Sequence, residues 1–340
     1  MSRSFGDLPP TTQRLLNVGP HNGAHRIAGR AMVSIAVPLL TLWATDHISW
    51  TIYAAFGAFT SLYGRTTVGR ARLQLQVSSG ALITASVLIG VLVGMSPART
   101  WLAIPIVAAI AAVGAAISTA QRQHPPGPLF LVFASAACAT IPSTPSDLVP
   151  AFAVSAGAVA VSVVVGSAGW WLRSLRGWSD PTRFEAWDFS SIPYRHVVRC
   201  GLACLIAGTL ATAVGIGHPY WAMVSAVVPL VVPDIGVQLE RGILRIVGTV
   251  GGVLVAAFLL DLGLPTLGLV CCIIATQTIG ELLVGRNYAL GLLAITPTAL
   301  LMVSLAHPSP IHELVVDRTV ETIIGVAVGV ATGRLAVRRG

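Results

Sequence analysis

Long apolar runs separated by short polar turns account for most of this chain. In order they cover roughly residues 27–45, 49–63, 77–95, 101–119, 128–142 and 149–172, then 197–216, 219–232, 246–262, 264–283, 287–305 and 314–333. An apolar run of about 18 residues or more reads as a membrane-crossing helix, because the hydrocarbon core is about 30 Å thick. The pattern predicts an all-α polytopic membrane protein with about 12 transmembrane helices, six in each half. Runs 49–63 and 219–232 are short for a full crossing and carry Gly57, Pro229 and Pro233 in or beside them. They predict broken or re-entrant helices, which a membrane tolerates only where the backbone is buried in protein or lines a cavity.

The two halves share a grammar. A stretch beginning HISW at His47 and another beginning HPYW at His218 each run from an apolar segment through a polar turn into a glycine-rich apolar segment. At an offset of 171 residues, His47 falls on His218, Trp50 on Trp221, Arg70 on Arg241 and Gly80 on Gly251. This predicts one unit used twice, with an even number of crossings per half making the repeats parallel. The expected organisation is a cytoplasmic N-terminal segment (1–25), a first six-helix repeat (26–172), a cytoplasmic linker (173–195) and a second repeat (196–336). The linker reads as a plain connector, with Trp178 and Trp187 placed to lie on the bilayer surface.

Composition agrees. The chain is 54% hydrophobic and 10% charged, with a mean hydropathy of +0.80. The first 25 residues have no apolar core, so no cleaved signal peptide is expected. The net charge of +8 comes entirely from arginines, since the chain has no lysine. With the N-terminus inside, all but Arg99 and Arg318 fall on inner loops and helix ends, as the positive-inside rule requires; this predicts N-in/C-in. Trp43, Trp50, Trp101 and Trp221 mark the outer interface and Trp170, Trp171 and Trp178 the inner one. The arginines are dispersed between apolar runs, which argues against nucleic acid. Cys138, Cys200, Cys204, Cys271 and Cys272 all lie inside apolar runs without metal spacings, and read as buried thiols.

The chemistry concentrates at the last run. Counting back from Arg334, Arg318 lies about 5 Å and Glu321 about 10 Å inside the hydrocarbon. Charges at that depth cost about 3 kcal/mol or more unless paired or wet. Asp317 and Glu321 share a face, and Arg318 is within reach of Glu321. Two readings stand: Arg318 holds a substrate carboxylate while Glu321 or Asp317 exchanges a proton, or the three form a static ion pair. Run 149–172 holds no charge, so any charged site is asymmetric. Gly325, Gly329 and Gly333 form a stripe for close helix packing.

Arg245, Arg70 and Arg286 are further candidates to receive an anion from the inner side, and Arg241 reads as membrane anchoring. His47 and His218 are read as interfacial polar residues in preference to pH gates. Gly248, Thr249, Gly251 and Gly252 lack a following lysine and sit in an apolar helix, so they are not a phosphate loop.

The HPYW start, the mixed-charge turn and the R-x-x-G-T-x-G pattern of Arg245, Gly248, Thr249 and Gly251 resemble the fusaric acid resistance (FUSC) and aromatic acid exporter family. RNYALGLLAITPTALLM at 286–302 and DRTVETIIGVAVGVATG at 317–333 are similar to its closing segments. The resemblance covers most of 195–336 and the first half more faintly. It implies an exporter of aromatic carboxylates or similar organic anions in the bacterial cytoplasmic membrane, and not an enzyme. Many larger members carry an extended region between the halves where this chain has only a short linker. No ATPase signature occurs, so the expected driving force is an ion gradient, most simply protons, with no cofactor or metal. The expected partners are the anion and the lipid bilayer; a homo-oligomer is left open. A passive anion channel, as in the distantly similar plant malate transporters, and a non-transporting assembly protein are the alternatives.

Overall fold

The computed structural model describes residues 18–177, 180, 182, 186–232, 234–306 and 310–335. Most of the N-terminal segment, with Arg3 and Arg14, lies outside them, as do Trp178, Arg183, Pro233, Arg338 and Arg339. Among the described residues there are twelve α-helices and no strand. The first six are α1 (Ala24–Ala44), α2 (Thr51–Ala58), α3 (Gly69–Gly94), α4 (Arg99–Ala120), α5 (Leu129–Thr140) and α6 (Leu148–Ser174). The second six are α7 (Tyr194–Ala213), α8 (Tyr220–Val227), α9 (Ile235–Asp261), α10 (Thr266–Leu283), α11 (Tyr288–Ala306) and α12 (Ile311–Leu335).

Eight of these are long and apolar enough to cross a membrane: α1, α3, α4, α6, α7, α9, α10 and α11. The 26 residues of α3 rise ~39 Å, against a hydrocarbon core of about 30 Å. Helix α12 has 25 residues but carries Glu313, Asp317, Arg318 and Glu321 in its first three turns. The short runs form short helical segments, Ile48–Leu62 and Tyr220–Val231, each ending in a 3-10 turn. All eight residues of α2 and all eight of α8 are buried, so their exposed-end backbone groups meet protein instead of lipid. Helix α2 tightens into a 3-10 turn over Phe59–Leu62 and stops at Gly64, whose φ of +70° favours glycine. Helix α8 ends where Pro229 withholds a backbone donor and opens the 3-10 turn Pro229–Val231.

One expected crossing is corrected. Run 128–142 forms a helix of only 12 residues, α5, which rises ~18 Å. Gly127 at φ +88° precedes it, and Ile141, extended ahead of Pro142, stops it.

Packing repeats between the halves. Helix α3 packs on α5 and α6, and α2 on α6; α9 packs on α11 and α12, and α8 on α12. Across the halves α4 meets α7 and α10 meets α1. The detail also recurs. Gln76 of α3 faces Gly166 of α6, where an added Cβ would lie 2.1 Å from its Oε1, and donates to the Tyr63 carbonyl. Gln238 of α9 faces Gly333 of α12 with the same 2.1 Å clearance and donates to the Val232 carbonyl at 2.7 Å. Four residues on from each glutamine, Gly80 backs onto Val159 and Gly242 onto Val326. These contacts match α3 with α9 at a spacing of 162 residues and α6 with α12 at 167. By environment, Gly80 therefore corresponds to Gly242, not to Gly251 as the 171-residue spacing had it.

The described residues of the 175–193 linker, the stretch from Val18 to Gly23 and the loops 63–68, 121–128 and 284–287 gather at one end of the bundle. There Gly64 N–H bonds the His124 carbonyl, Asp188 N–H the Ala120 carbonyl, and Gly19 N–H the Arg286 carbonyl. The linker is more than a connector: the Asp180 carboxylate accepts from Arg70 N–H at 2.8 Å and caps the start of α3. Every described arginine except Arg99 and Arg318 lies at this linker end or within about three turns of it. Of the cysteines, Cys138, Cys200 and Cys204 are buried, whereas Cys271 is exposed and Cys272 half-buried.

Candidate functional site: an arginine-lined central cavity

Between the halves lies a cavity of about 300 Å³. Arg65, His124, Arg241 and Gly285 form its rim at the linker end; Phe133, Trp221, Arg245, Thr298, Met302 and Arg318 form its deep wall. The two buried half-helices explain why a cavity exists. Helix α2 gives way to the 3-10 turn Phe59–Leu62 and α8 to the turn Pro229–Val231, and Phe59, Leu62, Val228 and Val231 from these ends line the cavity. Close contacts hold the frame around this space. Gly325 and Gly329 of α12 back onto the Ala222 and Ala226 carbonyls of α8, where an added Cβ would lie 2.3 Å away in each case. The glycine stripe of the last helix is thus a packing surface.

Arg245 is 4% exposed. Its Nε donates to Ser225 Oγ at 3.2 Å and its Nη1 to the Tyr288 hydroxyl at 3.4 Å, both neutral partners. The Arg318 guanidinium lies 3.7 Å from the centroid of the Trp221 ring. Its Nε and Nη1 are buried with no hydrogen-bond partner among the described residues. Ring stacking returns only part of what burying such a cation costs. The deep wall therefore presents two guanidiniums with no carboxylate partner among the described residues, beside aromatic surface.

Behind Arg318, Glu321 is fully buried, and neither carboxyl oxygen has a hydrogen-bond partner among the described residues. The His218 backbone N–H lies near but outside hydrogen-bond geometry. Asp317 does not pair with Arg318; its Oδ2 meets His218 Nδ1 at 2.9 Å. The static ion pair among Asp317, Arg318 and Glu321 is thus not formed, because Arg318 points to the cavity and Asp317 to the loop before α8. His218, read as merely interfacial, has this specific partner instead.

A second cavity of about 200 Å³ lies toward the opposite end, lined by Arg99, Gly217, Tyr220 and Met223 among others. An aromatic layer stands between the two. Trp221 borders the first cavity and Tyr220 the second, 4.7 Å apart by ring centroids. Phe133 meets Trp221 at 4.7 Å and Phe56 at 4.9 Å. Trp221 is only 1% exposed, so it belongs to this layer and not to the outer interface where the sequence placed it.

At the rim, Arg65 forms an ion pair with Glu281, whose other oxygen accepts from Gln277 Nε2 at 3.3 Å. The Arg241 guanidinium lies 5.0 Å over the Tyr288 ring. Burial, and then the charges of Arg65 and Arg241, hold the His124 imidazole below its ordinary pKa.

Of the arginines singled out in the sequence, Arg245 and Arg318 line the cavity and Arg70 and Arg286 do not. Arg70 is exposed beside the docked linker. Arg286 donates to the Gly19 carbonyl at 3.0 Å, just outside the rim. Glu321 and Asp317 stand behind the wall, within one turn of Arg318 on α12. Sequence reasoning missed Arg65, Glu281, His124 and the role of Trp221. One signal was present: Glu281 is the sole acidic residue inside run 264–283, and an acid inside a membrane run marks function or a partner.

Comparison with known proteins addresses the second half. Residues 204–332 match the family described as fusaric acid resistance protein-like. The resemblance read from the sequence holds there. A stretch of 156 residues is 28% identical to the "Uncharacterized membrane protein YvaC" of Bacillus subtilis (strain 168), covering 46% of this chain and 25% of that protein. The match thus spans a quarter of the relative's length. No solved structure matches the chain. Arg245, Arg318 and Glu321 all fall inside the matched residues, whereas Arg65 and His124 fall outside.

Proposed function

We propose that this protein is a transporter that exports small organic anions, with aromatic carboxylic acids as the class its cavity suits best. One observation carries the reading: the buried Arg318 guanidinium, without a carboxylate partner, lies on Trp221 in the wall of a 300 Å³ cavity that Arg245 also lines. A carboxylate supplies the hydrogen-bond acceptors and charge that the two guanidiniums lack, in the bidentate geometry arginine favours. An aromatic ring fits the surface of Trp221, Phe133, Phe59 and Phe130. The volume is at the lower end for small-molecule sites.

The matched packing of α1–α6 and α7–α12 supports two parallel six-helix repeats. Arginine placement supports the linker end as cytoplasmic, N-in/C-in, in a bacterial inner membrane. In that orientation the larger cavity faces the cytoplasm, Arg70 and Arg286 add positive potential near its rim, and the aromatic layer seals the outer side. Proton coupling in this reading runs through Glu321 and the Asp317–His218 pair, since His218 stands between Gly217 and Pro219 of the second cavity's lining. A proton on Glu321 and an anion on Arg318 each relieve a buried charge, so the two sites are coupled through one helix.

The test is efflux of a panel of labelled anions from proteoliposomes, with and without an imposed pH gradient. Benzoate-class acids leave against their gradient only with protons available, and Arg318→Ala abolishes this. Flux that follows the anion's own Nernst potential, indifferent to pH, would replace the carrier reading with a channel. No flux of any panel member would remove the transport reading.

A further inference from the structure

We propose that Glu281 is a tethered competitor for the anion site of Arg65, so that the Arg65–Glu281 pair acts as a latch which the transported carboxylate opens on arrival and which closes behind it. The inference rests on the transport reading and adds a second anion subsite at the rim, with its regulation.

Four observations support it. Arg65 follows the 3-10 turn after α2 and Glu281 lies near the end of α10, so the pair joins the two halves, 216 residues apart. Both side chains line the cavity at its rim, where an anion coming from the linker end first meets it. Glu281 is oriented from its own helix, since Gln277 one turn earlier donates to Oε1 and leaves Oε2 for Arg65. Finally, Glu281 is the sole acid among the described cavity-lining residues, which include Arg65, Arg241, Arg245 and Arg318.

The chemistry follows from likeness. A substrate carboxylate offers Arg65 the same two oxygens that Glu281 offers, so exchange leaves the guanidinium satisfied throughout. While the substrate holds Arg65, the contact between the halves is open. When the substrate moves on to Arg245 and Arg318, Glu281 recaptures Arg65 and closes the rim behind it. A buried pair of this kind stabilises little on balance, because desolvation offsets the attraction, and that makes it suited to repeated opening.

The experiment titrates full-length protein in nanodiscs with benzoate, succinate and chloride by calorimetry, for the wild type, Glu281→Gln, Arg65→Gln, the double variant Arg65→Gln/Glu281→Gln and the charge swap Arg65→Glu/Glu281→Arg. Glu281→Gln removes the competitor, and benzoate is expected to bind ~10-fold more tightly, while net export against a gradient is lost because the rim no longer closes. Arg65→Gln binds ~10-fold more weakly, and adding Glu281→Gln to it restores nothing. The swap returns affinity toward the wild-type value. Folded Glu281→Gln protein that binds benzoate no more tightly than the wild type overturns the latch and leaves the transport reading standing. If Glu281→Gln does not fold, a swap that folds but binds no better than Arg65→Gln overturns it equally. If benzoate binds no form while succinate or chloride tightens in Glu281→Gln, the latch holds and the aromatic substrate class is wrong.

Discussion

The last helices of the two halves, α6 and α12, pack in the same way and are chemically opposed. Gly166 of α6 and Gly333 of α12 each receive a glutamine from the third helix of their own half at the same clearance. The register this sets puts Ala151 where α12 has Arg318, and Val154 where it has Glu321. In the paired helices α3 and α9 it puts Ile83 where α9 has Arg245. Ala151 and Ile83 are fully buried core residues. One frame therefore holds a closed apolar contact in the first half and an ionic cavity wall in the second. Backbone packing that repeats constrains only small residues such as these glycines, and it leaves the side chains between them free to diverge in charge.

The strongest way to break the comparison is to move charge into the closed apolar contact of the first half. Ile83 is 0% exposed within a packed cluster, so Ile83→Arg buries a cation with neither partner nor water. The expected loss is ~3–5 kcal/mol, enough to prevent accumulation of folded protein, measured as monodisperse yield in detergent. A well-folded Ile83→Arg protein would mean that the first half tolerates charge as the second does.

Next in size is the reverse exchange. Arg318→Ala gives α12 the residue of α6, and anion export should fall ~100-fold or more in the proteoliposome assay. Its thermal stability should rise, by about 1 kcal/mol or more in unfolding free energy, because an unpaired buried cation is removed at the loss of one ring contact. A fall in both activity and stability would make Arg318 a structural residue.

Glu321→Gln is gentler, since it keeps shape and removes only the ability to carry charge. Efflux driven by a pH gradient should fall ~10-fold or more, while benzoate binding stays within about threefold of the wild type. Unchanged gradient-driven efflux would take Glu321 out of the coupling path and leave the Asp317–His218 pair to carry it.

The sequence made the helical class legible because membrane runs are read from hydropathy alone, and eight of them are long enough to cross. The short runs at 49–63 and 219–232 were legible for the same reason. The extent of α5 was less so: run 128–142 is apolar throughout, but Gly127 and Pro142 cut the helix at both ends. Arg318 and Glu321 announced themselves as charges inside the last run. Their lack of a mutual bond did not, since i,i+3 spacing permits contact without requiring it, and Trp221 draws the guanidinium away. The rim pair was hidden for a different reason. Arg65 and Glu281 belong to different halves, and periodicity within one helix carries no information on a partner 216 residues distant.

The smallest effect concerns the rim's histidine. His124 sits outside the helices, in loop 121–128, and burial with Arg65 and Arg241 lowers its pKa in the folded protein. The folded state thus resists a proton that the unfolded chain accepts, so stability is fully present above the ordinary histidine pKa and declines as pH falls through and below it. A bound anion reverses part of that resistance by offsetting the two guanidiniums. Anion binding and protonation of His124 therefore favour each other, and benzoate affinity should rise ~2- to 5-fold between pH 7 and pH 5. His124→Gln should flatten this slope while leaving affinity at pH 7 nearly unchanged, because the imidazole is neutral there. An undiminished slope in His124→Gln would move the pH dependence to the acids around Arg318, in the half where the ionic wall lies.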